Sequence, residues 1–132
     1  MTKEGENKAL VLKAFDEGFN KRDDNAFERY WSPDYIQHSS DIEPGRDGLR
    51  KRTNAMPTDF NYENALIMAQ CDLVMAYGRF SNIGEGKAII VVNILRIENG
   101  MLAEHWDVIQ GEVSLADSKS GLPMFTTSFR KY

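Results

Sequence analysis

Cysteine is nearly absent from this sequence, and Cys71 is the single example. One cysteine cannot form an internal disulfide or a cysteine-based metal cluster. No basic side chain stands beside Cys71 in the sequence, and a reactive thiolate needs an electropositive partner. Disulfide scaffolds, cysteine-rich metal sites and thiol catalysis are therefore disfavoured at the outset.

Long apolar runs and clustered cations are also missing. No run approaches the roughly 20 apolar residues of a membrane span. The polar segment 1–8 lacks the apolar core of a signal peptide. The net charge is 16 − 20 = −4, and the only cationic run is Arg50-Lys51-Arg52. Because phosphate neutralisation needs clustered cations, nucleic-acid binding is disfavoured. We expect a cytoplasmic protein with neither a nucleic acid nor a membrane as partner.

Two kinds of catalytic motif are absent as well. The segment Gly45-Arg-Asp-Gly48 lacks the downstream glycine and the Lys-Ser/Thr pair of a nucleotide-binding loop. No serine lies in a nucleophile elbow. We therefore expect no cofactor, and a function that depends on ordinary side chains.

The composition that remains is that of a globular protein. Charged residues make up 27% and hydrophobic residues 42% of a 132-residue chain. This length is sufficient for one domain with its own core. We find no repeat, no low-complexity tract and no second domain, so the prediction is a single domain over residues 1–132.

The first third of the chain has helical periodicity. Val11, Phe15 and Phe19 recur at i, i+4 and i+8 and predict a helix over residues 6–20. The run Asp23-Asp24-Asn25 offers N-cap oxygens for a short helix that ends in Phe27, Tyr30 and Trp31. Residues 46–56 predict a third helix with Leu49, Arg52, Thr53 and Met56 along one side. The aromatic residues could pack between helices or contact a ligand.

The remainder predicts a mostly antiparallel sheet. A short extended segment covers residues 35–38, with Tyr35 and Gln37 facing one way and Ile36 and His38 the other. Strands follow at 60–68 and 73–81, and a hairpin spans 87–110. This hairpin turns at Glu98-Asn99-Gly100, because Asn-Gly readily adopts positive φ. Helices followed by strands indicate an α+β fold, with three helices covering one face of a sheet that curves around a cavity.

The final hairpin carries the polar residues of greatest interest. Asn93 interrupts the apolar run Ile89–Leu95, and a buried amide requires hydrogen-bond partners. His105 and Asp107 are two residues apart and so share a strand face. Alternation alone does not decide whether that face is interior, and a surface pair beside a buried Trp106 is equally compatible. His38, His105 and Asp107 could formally ligate a metal, but no spacing motif supports this.

Three segments resemble a known family. Asp34–His38, Gly45–Gly48 opening a helix and Arg96–Gln110 resemble the SnoaL-like proteins of the nuclear transport factor 2-like superfamily, which includes polyketide cyclases, ketosteroid isomerase and scytalone dehydratase. The resemblance covers about residues 7–110, so residues 111–132 are expected to form a C-terminal extension in which Met124-Phe125 can dock. It implies a cone-shaped α+β barrel, in which three N-terminal helices pack on a strongly bent mixed sheet. It also implies homodimers joined through the outer sheet face.

The resemblance assigns roles to particular residues. It implies that the strand face of His105, Asp107 and Ile109 points into the pocket. Asp107 matches the acid/base position of the polyketide cyclases. Asn93 falls where ketosteroid isomerase has its oxyanion-hole aspartic acid. His38 falls where that enzyme has its carboxylate base. Side chains expected to line the pocket are Phe15, Tyr30, Trp31, Tyr77 and Ile109.

The implied function is cofactor-independent acid/base chemistry on an apolar carbonyl compound. Asp107 or His38 would remove an α-proton, and Asn93 with protonated His105 or a tyrosine would stabilise the enolate. Aldol cyclisation, isomerisation and dehydration all use these groups. The alternative is a non-catalytic small-molecule-binding or dimerisation module of the same fold.

Overall fold

The computed structural model describes residues 1–129 of the chain. Helices make up most of its first part. Helix α1 spans Lys3–Phe15 and continues as a π-helical segment over Asp16–Asn20. Helix α2 spans Ala26–Tyr30 and helix α3 spans Gly45–Asn54. The first helix begins earlier than predicted because the Thr2 side chain caps it, accepting a hydrogen bond from the Gly5 N–H at 3.0 Å. Residues 130–132 of the predicted extension lie outside the described residues.

Five strands form one open mixed sheet. They are β1 (Trp31–Gln37), β2 (Asn61–Gln70), β3 (Leu73–Ser81), β4 (Ala88–Glu98) and β5 (Met101–Gly111). Their order is β1-β5-β4-β3-β2. Strand β1 pairs with β5 in parallel, and the other three pairs are antiparallel. Three helices packed on a five-stranded mixed sheet confirm the predicted α+β class.

Helix α3 ends at Asn54 instead of Met56, and two strands also differ from the prediction. Strand β1 begins at Trp31, directly after α2, although the sequence predicted an extended segment only from Tyr35. Pro33 is tolerated there because β1 is an edge strand. The loop between β2 and β3 is shorter than expected, because β2 runs to Gln70 and Cys71 adopts a φ of 54° to make the turn.

The core lies between the helices and the sheet face that they cover, called here the inner face and represented by Val74, Leu95 and His105. Trp31 is 1% exposed and packs against Phe15 and Phe27, with ring centroids at 6.3 and 5.1 Å. The aromatic residues of the first helices thus pack together, as their spacing indicated.

The outer face is the opposite side of the same sheet, represented by Met75, Tyr77 and Trp106. The C-terminal extension contacts this face at β3, where the Tyr77 hydroxyl donates to the Met124 carbonyl oxygen at 2.7 Å and its ring meets Phe125. The predicted docking of Met124-Phe125 is therefore observed. Within residues 1–129, no helix combines the length and apolar character that crossing a membrane would require.

Candidate functional site

A cavity of about 100 Å³ lies between the inner face of the sheet and the helices. Most of its lining is aromatic or aliphatic. Helix α3 contributes Leu49, Arg52 and Thr53, and Met56, which was predicted on the same helix, lines the cavity from the segment after it. The polar residues that also line the cavity come from β1, the following loop, α3 and the β4–β5 hairpin: Tyr35, Ser39, Asp41, Arg52, Thr53, Asn93, His105 and Asp107.

The β4–β5 hairpin turns Asn93, His105 and Asp107 inward. Asn93 and Asp107 are direct cross-strand partners, and His105 lies opposite Leu95. Asn93 is 3% exposed and His105 is 6% exposed. The helices cover this face, which decides the question that alternation left open. Asn93, His105 and Asp107 are brought together as expected.

The His105 imidazole is held between two side-chain amides. Its Nε2 lies 2.8 Å from Asn93 Oδ1, and its Nδ1 lies 2.6 Å from Gln37 Oε1. Burial lowers the pKa of His105 to about 4, with a smaller contribution from the charge of His38. The imidazole is therefore neutral near pH 7, which argues against the protonated His105 of the sequence-based hypothesis.

Tyr35 and Gln37 complete this polar cluster, although neither was predicted from the sequence to be a site residue. Gln37 Nε2 donates to the Tyr35 hydroxyl oxygen at 2.9 Å. Among residues 1–129, no acceptor takes the phenolic proton of Tyr35. Burial raises the pKa of Tyr35 and keeps that proton in place. The signal was available in the sequence, because the alternation of residues 35–38 puts Tyr35 and Gln37 on one face.

Asp107 lies beside this cluster and also lines the cavity. Burial raises the pKa of its carboxyl group, Ser39 opposes the increase, and the nearby carboxylate of Asp41 adds to it. Asp41 in turn pairs with Arg52, at 3.3 Å between carboxylate and guanidinium. Asp107 is thus a carboxylate with increased proton affinity at the edge of an apolar space.

His38 does not join the cluster. Its Nε2 lies 2.7 Å from Glu104 Oε2, and its ring stacks on Trp106 at 5.0 Å on the outer face. Side chains alternate along a strand, so the inward position belongs to Gln37 and the next one points outward. The expected convergence of His38 with Asp107 is therefore wrong. The formal metal triad cannot assemble either, and residues 1–129 contain no group of three or more candidate ligands placed to hold a metal.

The remaining predicted pocket residues divide into two groups. Phe15, Trp31 and Ile109 line the cavity. Tyr30 and Tyr77 do not. The Tyr30 hydroxyl donates to Glu17 Oε2 at 2.7 Å behind the cavity wall, and Tyr77 lies on the outer face under the C-terminal extension. Both tyrosines were chosen by residue type, and Tyr35 takes the place expected for one of them.

The fold agrees with comparisons to known proteins. The family model described as SnoaL-like domain matches residues 12–105, and the chain belongs to this family. AclR, a proposed hydroxylase from Streptomyces galilaeus, is 30% identical with a TM-score of 0.66; the match covers 81% of this chain and 90% of AclR. A proposed ketosteroid isomerase from Kribbella flavida is 15% identical with a TM-score of 0.71, over 97% and 95% of the two chains.

A further similar structure is a proposed SnoaL-like polyketide cyclase from a Jannaschia species. It is 18% identical with a TM-score of 0.65, over 80% of this chain and 86% of that one. The search of curated proteins gave no significant match. The comparisons therefore establish the family and the nuclear transport factor 2-like fold.

Proposed function

We propose that this protein is a cofactor-independent enzyme that enolises a small apolar carbonyl compound in the cavity. One observation carries the proposal: the Asp107 carboxyl group and the Tyr35 hydroxyl line the same apolar cavity. The first is a proton acceptor and the second is a hydrogen-bond donor with an uncommitted proton. Enolisation requires one group of each kind.

Asp107 acts as the general base. A carboxylate is a weak base in water, and partial burial strengthens it by raising its pKa. It accepts the proton α to the substrate carbonyl, and the C–H electron pair becomes the enolate. Return of that proton to another carbon gives isomerisation, whereas attack of the enolate on a second carbonyl gives aldol closure. If the β-carbon carries a hydroxyl, that group leaves as water with the proton from Asp107 while the enolate electron pair forms the C=C bond, and the result is dehydration.

Tyr35 acts as the donor to the enolate oxygen. Its hydroxyl accepts a hydrogen bond from Gln37, which strengthens the donation of its own proton. The Tyr35 residue as a whole is 5% exposed, so the hydrogen bond from its hydroxyl to the substrate forms in a medium of low dielectric. Asn93 and His105 form the polar support behind it.

The size of the cavity limits the substrate. A cavity of about 150 Å³ accommodates benzene, and this one measures about 100 Å³. Small acyclic ketones or aldehydes therefore fit best. Access of a larger compound would require the side chains that line the cavity to move apart.

The test is α-proton exchange in D₂O, followed by proton NMR for a panel of small apolar ketones and aldehydes. This readout detects enolisation whatever the later reaction. Replacement Asp107→Asn should reduce exchange by about 10²- to 10⁴-fold, the usual contribution of a general base. The melting temperature and the thermal shift by ligands should change little. The matched control is Glu104→Gln, a carboxylate on the same strand but on the outer face. Retained exchange in Asp107→Asn refutes the assignment.

A non-catalytic binding module is the second candidate. The observation that favours it is that Gln37, Asn93 and His105 hydrogen-bond to one another. Thermal shifts produced by apolar compounds without any α-proton exchange, equal in wild type and Asp107→Asn, would support binding alone.

We also propose that the chain forms a homodimer through its outer face. Large apolar side chains there are exposed, including Met68 at 57%, Met75 at 47% and Val108 at 69%. Apolar residues grouped in this way on one surface favour association. Light scattering of wild type and Met75→Lys tests this, with a dimer expected for the first and a monomer for the second. A monomeric wild type would contradict it.

A further inference from the structure

The orientation of the Gln37 side chain is fixed by a neighbouring backbone group. The Ser39 N–H donates to Gln37 Oε1 at 3.0 Å, and a backbone N–H can only donate. The oxygen of Gln37 must therefore point in this direction, and its Nε2 must face the Tyr35 hydroxyl. An exchange of the two ends of the amide would set its NH₂ group against the Ser39 N–H and lose that hydrogen bond.

This orientation determines which nitrogen of His105 carries a proton. The same Gln37 oxygen lies 2.6 Å from His105 Nδ1. An acceptor at that distance requires a proton on Nδ1. Because burial lowers the pKa of His105 to about 4, the neutral ring carries this one proton, and Nε2 has a lone pair.

The lone pair on His105 Nε2 constrains the orientation of the Asn93 amide. With Oδ1 at 2.8 Å from Nε2, two acceptors would face each other, and at the same time Asn93 Nδ2 is buried and makes no hydrogen bond. A half-turn of the amide corrects both faults, because Nδ2 then donates to Nε2. The oxygen moves to the side of the Tyr62 hydroxyl, which lies next to this amide.

Tyr62 can accommodate the turned amide. Its hydroxyl lies 2.8 Å from the Asn64 side-chain oxygen, and a matching half-turn of Asn64 lets that amide donate to Tyr62. The Tyr62 proton is then free for Asn93. Each link in the chain from Asn64 to Gln37 would then join a donor to an acceptor, as buried polar groups require.

We propose that Gln37 is a positioning residue that fixes His105 in the Nδ1–H tautomer and thereby turns the Asn93 N–H toward His105 Nε2. Gln37 then links the two side chains through hydrogen bonds of fixed direction. Its oxygen accepts a hydrogen bond from the His105 Nδ1–H, and its Nε2–H donates one to the Tyr35 hydroxyl oxygen. The Tyr35 proton is therefore left for the cavity.

The importance of this arrangement for catalysis rests on the proposed function. The assignment of the His105 tautomer does not, because it follows from the hydrogen bonds of Gln37. If Tyr35 donates to an enolate, Gln37 keeps the hydroxyl turned toward the substrate, and its replacement should affect the rate more than binding. Asn93, in this arrangement, supports His105 and does not contact the enolate oxygen.

The test is nitrogen NMR of protein labelled with ¹⁵N at histidine, recorded without ligand. The variant His38→Gln removes the outer-face histidine and leaves His105 as the only signal. We expect protonated Nδ1 and unprotonated Nε2 at pH 7. In Gln37→Met, which removes the acceptor at similar length, Nε2–H should become the main tautomer. In Gln37→Glu, the carboxylate should raise the pKa of His105 by about 1–3.

The matched control is Gln110→Glu, the same replacement at an exposed position of β5, which should leave the tautomer and the pKa of His105 unchanged. Protonated Nε2 in the wild-type site, or an unchanged tautomer in Gln37→Met, would overturn the proposal. If Gln37→Met does not fold, the wild-type tautomer and the Gln37→Glu shift still decide the matter. Retained exchange in Asp107→Asn would remove the proposed function and leave this tautomer intact.

Discussion

The His38 N–H donates to the His105 carbonyl oxygen at 3.0 Å, yet the two imidazoles lie on opposite faces of the sheet. His105 is 6% exposed and meets only uncharged amides. His38 is exposed and pairs with the carboxylate of Glu104. The tryptophans divide in the same way, with Trp31 buried on the inner face and Trp106 stacked on His38 outside.

This difference shows that residue type says little about role until the covering elements are known. The inner face has three helices above it, and its polar groups must find partners among themselves. Among the described residues, the outer face has no helices above it, only the C-terminal extension at β3, and its charges pair across the surface. The following predictions test the contrast, in order of decreasing effect.

The largest difference is expected between the two tryptophans. Trp31→Ala removes a side chain that is 1% exposed, and should lower the free energy of unfolding by about 3–5 kcal/mol. Trp106→Ala should lower it by about 1 kcal/mol, since that ring is only partly buried. Urea denaturation at one protein concentration measures both. Equal losses would show that the outer face is covered as fully as the inner one.

The next effect is the pH dependence produced by His105. Its pKa is 6.5 when unfolded and about 4 when folded, so the unfolded chain binds the proton first as the pH falls. Stability is therefore complete above pH 6.5 and should decrease by about 3 kcal/mol as the pH falls to 4. Urea denaturation across this range should show a flatter profile for His105→Gln. His38→Gln should retain the slope, and a loss of slope there would contradict the contrast.

A smaller effect is expected for the tyrosine hydroxyls. Tyr35→Phe should reduce α-proton exchange by about 10- to 100-fold, because one hydrogen bond to a developing charge is lost. Tyr77→Phe removes a hydroxyl from the outer face, where it meets the Met124 carbonyl, and should leave the exchange rate unchanged. Equal rates in all three proteins would exclude Tyr35 as the donor.

The smallest effect concerns His38 itself. His38→Ala breaks the contact with Glu104 but touches nothing in the cavity. Exchange by this variant should stay within about twofold of wild type, as is usual for surface replacements. A loss as large as that of Asp107→Asn would restore His38 to the catalytic site.

Much of the architecture could be predicted from local pattern. The i, i+4, i+8 spacing of Val11, Phe15 and Phe19 predicted the first helix, and Asn99-Gly100 placed the turn of the last hairpin, where both residues have positive φ. Turn chemistry and periodicity act over a few residues, so the sequence is sufficient for them. The capping by Thr2 is also local, although the sequence prediction missed it. The early start of β1 was not anticipated because it depends on pairing with the distant strand β5.

The site was only partly predictable. Alternation grouped His105 with Asp107, and likewise Tyr35 with Gln37, but it could not identify the interior side. Resemblance supplied the direction for Asn93 and Asp107, and it misplaced His38. One residue of offset along β1 reverses the direction of a side chain, so a correspondence in position does not ensure a correspondence in orientation.

The sequence by itself therefore determined the class of fold, the exclusion of disulfides and cysteine clusters, and the strand face that His105 shares with Asp107. Tertiary structure alone decided that this face is interior and that Gln37, and not His38, reaches His105. It also decided that the imidazole is buried among amides and is neutral. The physical reason is that periodicity is a property of the chain, whereas burial and hydrogen-bond partners depend on which distant elements cover each face.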